Sequence, residues 1–313
     1  MAYTADDFVS GVRRRAQLPA ASIDGKISDA DILALADEEM GSTMLPLILA
    51  ANEEYYVTSS DTAIVANQTE YRIPTRAVGG AIRDLTFVDA NGNESSLPEI
   101  SLEDQGDYAR SGGGAFSRQS AYALRGDRVR LLPVPTASSG SLRFYYHWRP
   151  GRLVLTTSSQ VTDITGISGS TYTVTATPVS WTTSTEFDLI QAKPNFDLLL
   201  DNTAPSAVDS GGTNLVFASA ITDAAIGDYF AETGVSPIVQ IPAELQPAFT
   251  SAVVVRVLMS LGDYEAASLE EAKLASQKEN AQILIDPRNK GASKRVVNRY
   301  SIMRSGGRYI GGW

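Results

Sequence analysis

Between Phe249 and Leu261 the chain is apolar almost all round a helix: Ala252, Val253, Val254, Val255, Val257, Leu258 and Met259, with Arg256 the one charge. A helix apolar on every side is buried on every side, so this stretch must sit at the centre of whatever the chain folds into. At about 13 residues it is too short to cross a bilayer, which takes roughly 20. Pro242 and Pro247 fall where a helix begins, a place where a missing N–H costs little, and Glu244 suits the positive end of the helix dipole. Gly262-Asp263 predicts a break. Ser268-Leu269-Glu270-Glu271 reads either as a capping box or as ordinary helical surface. A weaker apolar stripe of Leu269, Ala272, Ala275, Ile283 and Leu284 continues to Asp286-Pro287, where proline discourages helix.

Beyond Pro287 the composition changes. Arg288, Lys290, Lys294, Arg295, Arg299, Arg304 and Arg308 bring seven positive charges and no acid. The whole chain holds 26 basic and 36 acidic residues, so the part before Arg288 has 19 against 36, a net −17. Tyr300, Ile302, Met303, Tyr309, Ile310 and Trp313 are interleaved with the charges. A basic end is often only solvated chain, but exposed aromatics promote sticking. Residues 288–313 therefore read as an arm that folds against a partner. Its contacts are expected from Arg288, Lys290, Lys294, Arg295, Arg299, Tyr300, Arg304, Arg308, Tyr309 and Trp313.

Upstream, Thr4 as N-cap, Asp6 and Asp7 in the first turn and Arg13-Arg14-Arg15 at the far end predict a helix over 4–18, stopped by Pro19. A second helix is expected from Ser28 to about Tyr56, kinked or divided at Pro46. The pattern then becomes strand-like. Short strands are expected at Ile64-Val65, Tyr71–Ile73, Ile82–Val88, Tyr122–Leu124, Val129–Leu132 and Leu142–Tyr146. Asn91-Gly92 is a strong hairpin signal, and Arg125-Gly126-Asp127 reads as a hairpin turn more readily than as an adhesion tripeptide. Ser111-Gly112-Gly113-Gly114 marks a mobile loop within 101–120. A Thr/Ser-rich stretch follows, with strands expected at Val161–Ile164, Tyr172–Thr175, Glu186–Ile190, Phe196–Leu200 and Leu215–Phe217. The predicted class is α+β: N- and C-terminal helices (1–57 and 242–287) form a bundle into which antiparallel β modules (58–150 and 151–241) are inserted, with the arm at 288–313.

Chemistry is sparse. Absence of cysteine removes disulfides, thiolate catalysis and thiolate metal sites. His147, the one histidine, lies among aromatics in Phe144–Trp148 and reads as a packed structural residue. Glu38-Glu39, Glu53-Glu54 and Glu270-Glu271 read as solvated helical faces. The glycine clusters lack a phosphate-cradle pattern, so no catalytic residue, cofactor or metal is expected. No apolar run suffices for a membrane span, and no secretory signal opens the chain. The acidic body argues against wrapping nucleic acid and suits a surface past which DNA slides.

The order of features resembles the head-to-tail connector or adaptor (neck) proteins of tailed bacteriophages. The resemblance rests on the Asp31–Ala36 helix leading to Glu53-Glu54-Tyr55-Tyr56, and on Tyr71-Arg72-Ile73-Pro74. Further on it rests on Leu124–Pro133, Leu142–Pro150, Pro178–Trp181, Phe187–Leu189, Gly227–Tyr229 and Gly234–Pro242. It implies a non-enzymatic virion protein, made in the host cytoplasm, that forms a ring, typically a 12-mer, beneath the portal protein. Such a ring joins capsid to tail and leaves a channel through which DNA passes without sequence-specific binding. The arm would then clasp the portal, and downstream tail or neck proteins would bind on the other side. A stopper, tail terminator or baseplate component fits the same setting. A glycan-binding tail protein or a DNA-binding protein with a basic tail are the more distant readings.

Overall fold

The computed structural model describes residues 3–19, 27–101, 103, 120–192, 198–209 and 211–285. It is an α+β protein. The 101–120 glycine loop, apart from three of its residues, and the whole of 288–313 lie outside the described residues.

Local chemistry sets the helix starts. In α1 (Ala5–Arg15) the Thr4 hydroxyl accepts the Asp7 N–H at 3.2 Å while the Asp7 carboxylate accepts the Thr4 N–H at 3.3 Å. The same capping box, Ser28 with Asp31, opens α2 (Asp29–Glu39). Each cap satisfies two amides that the helix leaves unpaired. α1 stops earlier than expected, because the chain turns at Gln17 (φ 54) before reaching Pro19. Pro46 has no N–H to return to residue 42, and the chain widens into a π turn over Met40–Met44 before α3 (Leu45–Ala51). The helix ends at Ala51, short of Tyr56, since Asn52 is extended (φ −142) and its side chain caps Glu54.

Near the C-terminus a 3-10 turn, Ala243–Leu245, leads into α4 (Gln246–Leu261). Gly262 closes α4 in the left-handed region (φ 82), and α5 (Tyr264–Ile285) folds back over it. α4 is central, as its composition requires. Phe8 of α1 stacks on Phe249 with centroids 4.9 Å apart. Arg15 donates to the Pro247 carbonyl at 3.1 Å and to Ser251 Oγ at 2.8 Å. From α2, Glu39 meets Arg256 at 3.2 Å. Glu39 is therefore not on a solvated face; it is 5 % exposed and pairs with the one charge on the apolar helix.

The same core takes in two small antiparallel sheets. One, in the order β1-β7-β3-β4, consists of β1 (Val57–Ala63), β3 (Asp84–Val88), β4 (Glu94–Ser96) and β7 (Ser141–His147). The other, β2-β6-β5, consists of β2 (Glu70–Arg72), β5 (Ala121–Arg125) and β6 (Arg128–Leu132). Leu85, Phe144 and Tyr146 from these strands, and Trp148 just after β7, pack with Phe8, Ile48 and Val253 from the helices. The Asn91-Gly92 and Gly126 turns form as expected, both glycines at positive φ (84 and 62). Ile64-Val65 is not a strand: the strand lies just before it, and buried Ile64 closes its end.

The chain leaves this body through β8 (Arg152–Leu153) and returns through β16 (Val235–Ser236), which pair in parallel. Between them a seven-stranded antiparallel sheet runs β12-β11-β15-β9-β10-β14-β13. Its strands are β9 (Val161–Ser168), β10 (Thr171–Val174), β11 (Phe187–Ile190), β12 (Leu198–Thr203), β13 (Ala207–Val208), β14 (Asn214–Val216) and β15 (Tyr229–Glu232). A separate aromatic core forms on it: Phe217 and Phe230 stack at 5.2 Å, and Trp181 is fully buried with its indole N–H donating to Glu232 at 2.9 Å.

Candidate docking surface

α5 is the last element of the described residues. Among its described side chains the buried ones are Ala267, Leu274 and Ala281, spaced seven apart, at 1 %, 8 % and 3 % exposure. Seven residues advance a helix by nearly two turns, so these three form one seam against the core. Two polar contacts hold it: Ser251 Oγ donates to Glu270 at 2.8 Å, and Lys278 stands 4.0 Å from Glu39. The expected stripe faces the other way. Leu269, Ile283 and Leu284 are 63 %, 65 % and 64 % exposed, and Ala272 and Ala275 are exposed as well. Ser268 lies inside the helix, so Ser268–Glu271 is helical surface and not a cap. Tyr264 and Met259 add further exposed apolar area near the α4–α5 turn. Several large apolar side chains of α5 and of the α4–α5 turn therefore stand in water.

Every residue expected to contact a partner, Arg288 through Trp313, falls outside the described residues, so their positions relative to this face are not defined. Among the described residues no group of three His, Asp or Glu side chains converges on a metal-sized space, and no helix is long and apolar enough to cross a membrane. His147 bonds the Glu53 carbonyl through Nε2 at 2.9 Å, a structural contact at the end of β7. Glu54 pairs with Arg83, which holds its carboxyl below the usual range.

Two polar arrangements were not legible in the sequence. A cleft of about 340 Å³ between α2 and β8 is lined by Leu33, Asp37, Arg152 and Leu155. Burial pushes Asp37 up to about 6, against the opposing effect of the Leu153 N–H that it accepts at 2.8 Å and of the Arg152 charge. A shifted carboxyl in a cleft often marks a reactive group, but here its acceptor is committed to a backbone amide that anchors β8. The second arrangement is buried. Arg76, in the turn after β2, pairs with Asp188 on β11 and lies 3.3 Å from Asp201 on β12. Its Nη2 donates to the Arg149 carbonyl at 3.1 Å, and its guanidinium stacks 5.6 Å above the Trp148 ring. Tyr146 donates to Asp201 at 3.1 Å. The signals for this network lie 112 residues apart, with no local motif to join them. Both arrangements hold structure: Asp37 anchors β8 through the Leu153 N–H, and Arg76 joins the second β segment to the body.

No curated protein matches the chain. A family model described as SU10 adaptor protein matches residues 3–172, which runs from α1 through both small sheets to the first hairpin of the large sheet. The match spans more than half of the chain and covers the helical start and both small sheets of the α+β body. The chain belongs to the SU10 adaptor protein family, a family of phage head–tail adaptors.

Proposed function

We propose that this adaptor forms a ring, typically twelvefold, beneath the portal, joins capsid to tail and leaves a channel for DNA. The family match over residues 3–172 is the observation that carries this reading. Residues 1–57 and 242–287 act as one helical unit carrying the β modules 58–150 and 151–241; the stacking of Phe8 on Phe249 supports that division. The arm, 288–313, engages the portal through its cations and aromatics. The net −17 of the remainder suits a DNA passage that repels the backbone. The role is structural and its place is the neck of the virion.

The test is co-sedimentation with the portal ring of the same phage, comparing the full chain with one ending at Pro287. The full chain should travel with the portal and the shortened one should not. If both bind, the arm serves another contact; if neither binds, the adaptor position below the portal is wrong.

A further inference from the structure

The three-stranded sheet carries a row of arginines that its own fold does not require. Arg72 on β2 stands opposite Arg128 on β6, and Arg128 stands opposite Arg125 on β5. Residues directly opposite share a face, so the three side chains leave the same side of the sheet. They are 69 %, 54 % and 66 % exposed respectively. Like charges placed directly opposite one another destabilise a sheet. Glu70 and Asp127 relieve only part of this: Glu70 lies 3.1 Å from Arg125 and 3.7 Å from Arg128, and Asp127 lies 3.4 Å from Arg72 and 3.9 Å from Arg128. Three cations share two acids, leaving donors directed to solvent.

The complementary charge is on the same chain. Residues 58–150 are balanced, ten basic against ten acidic, whereas residues 151–241 hold nine acidic against two basic, a net −7. Among the described residues of that segment only Asp188 and Asp201 join an ion pair within the chain. Glu186, Asp209 and Asp223 face solvent.

We propose that the Arg72–Arg128–Arg125 row docks on exposed carboxylates of residues 151–241 of a second copy. The contact is head-to-tail, and repetition of such a contact closes a ring when the rotation permits; the proposal thus rests on the ring reading and gives it an interface. DNA fits the row less well. Glu70 and Asp127 sit between the arginines and would meet the phosphates of a continuous polyanion, while guanidinium groups pair with single carboxylates in a fixed fork geometry.

The experiment is sedimentation velocity on the full chain, alone and with the portal ring present. Reversing the row (Arg72→Glu, Arg125→Glu, Arg128→Glu) should weaken self-association by roughly tenfold or more. Adding Glu186→Lys, Asp209→Lys and Asp223→Lys to the same chain should restore most of it, which a merely misfolded chain would not do. If the reversed chain associates like the natural one, this interface is wrong and the ring reading stands. If the natural chain fails to self-associate in either setting, both fall. If the reversal abolishes binding to a short DNA duplex and leaves self-association intact, the row belongs to DNA and the proposal is overturned.

Discussion

Replacing Arg76 with methionine tests how the second β segment is held to the body. Asp188 is 0 % exposed and Arg76 8 %. Methionine keeps much of the volume, so the perturbation is loss of charge and not a large cavity. Asp188 retains two backbone donors, Gly234 N–H at 2.9 Å and Asn202 N–H at 3.0 Å. It loses the guanidinium that also spans to Asp201 at 3.3 Å. Removing one partner of a buried pair costs about 3–5 kcal/mol, because the other charge stays buried. A domain's whole stability is about 5–15 kcal/mol, so the variant should unfold at clearly lower urea concentration.

The pH dependence sharpens this test. Burial raises Asp188 above the usual carboxylate range, and the Arg76 charge opposes that rise. Without Arg76 the folded-state value climbs further. A carboxyl whose folded value is raised holds its proton more tightly folded than unfolded. The variant's deficit is therefore full above the raised value and shrinks as pH falls toward the unfolded value near about 3.9. Urea titrations followed by tryptophan fluorescence and far-ultraviolet circular dichroism, near neutral pH and again in mild acid, read both quantities. Trp148 reports beside Arg76, and buried Trp181 reports from the second core. A loss below about 1 kcal/mol at neutral pH, or a deficit that does not narrow in acid, would refute the buried-charge account.

Three further outcomes are expected. Asp37→Asn keeps an acceptor for the Leu153 N–H and removes a carboxyl held at about 6; its melting temperature relative to the natural chain should rise as pH increases through about 4 to 6, and a constant difference would exclude the effect. Thr4→Ala and Ser28→Ala each remove a capping box and should each cost about 1 kcal/mol in denaturant titrations. Gly262→Ala forces a side chain into the left-handed region at φ 82 and should cost about 1 kcal/mol, lowering the amide-exchange protection of α5 before that of β7.

What the sequence revealed depends on how local the deciding physics is. Thr4, Ser28, Gly262, Asn91-Gly92 and Gly126 act within four or five residues, and the elements that they bound were legible. The apolar run of α4 was legible too, because no arrangement other than burial suits it. The face of α5 was misread for a reason intrinsic to its packing. The seam is Ala267, Leu274 and Ala281, so alanines occupy two of its three positions, while Leu269, Ile283 and Leu284 stand outward together with Ala272 and Ala275. With leucine and alanine on both faces, composition alone does not say which stripe is buried. The Arg72–Arg128–Arg125 row is illegible until the register of β2, β6 and β5 sets the three side by side. Burial within the chain explains its core, whereas the exposed apolar residues of α5 and the arginine row have no such account within one copy, which is why the self-association experiment is aimed at the row.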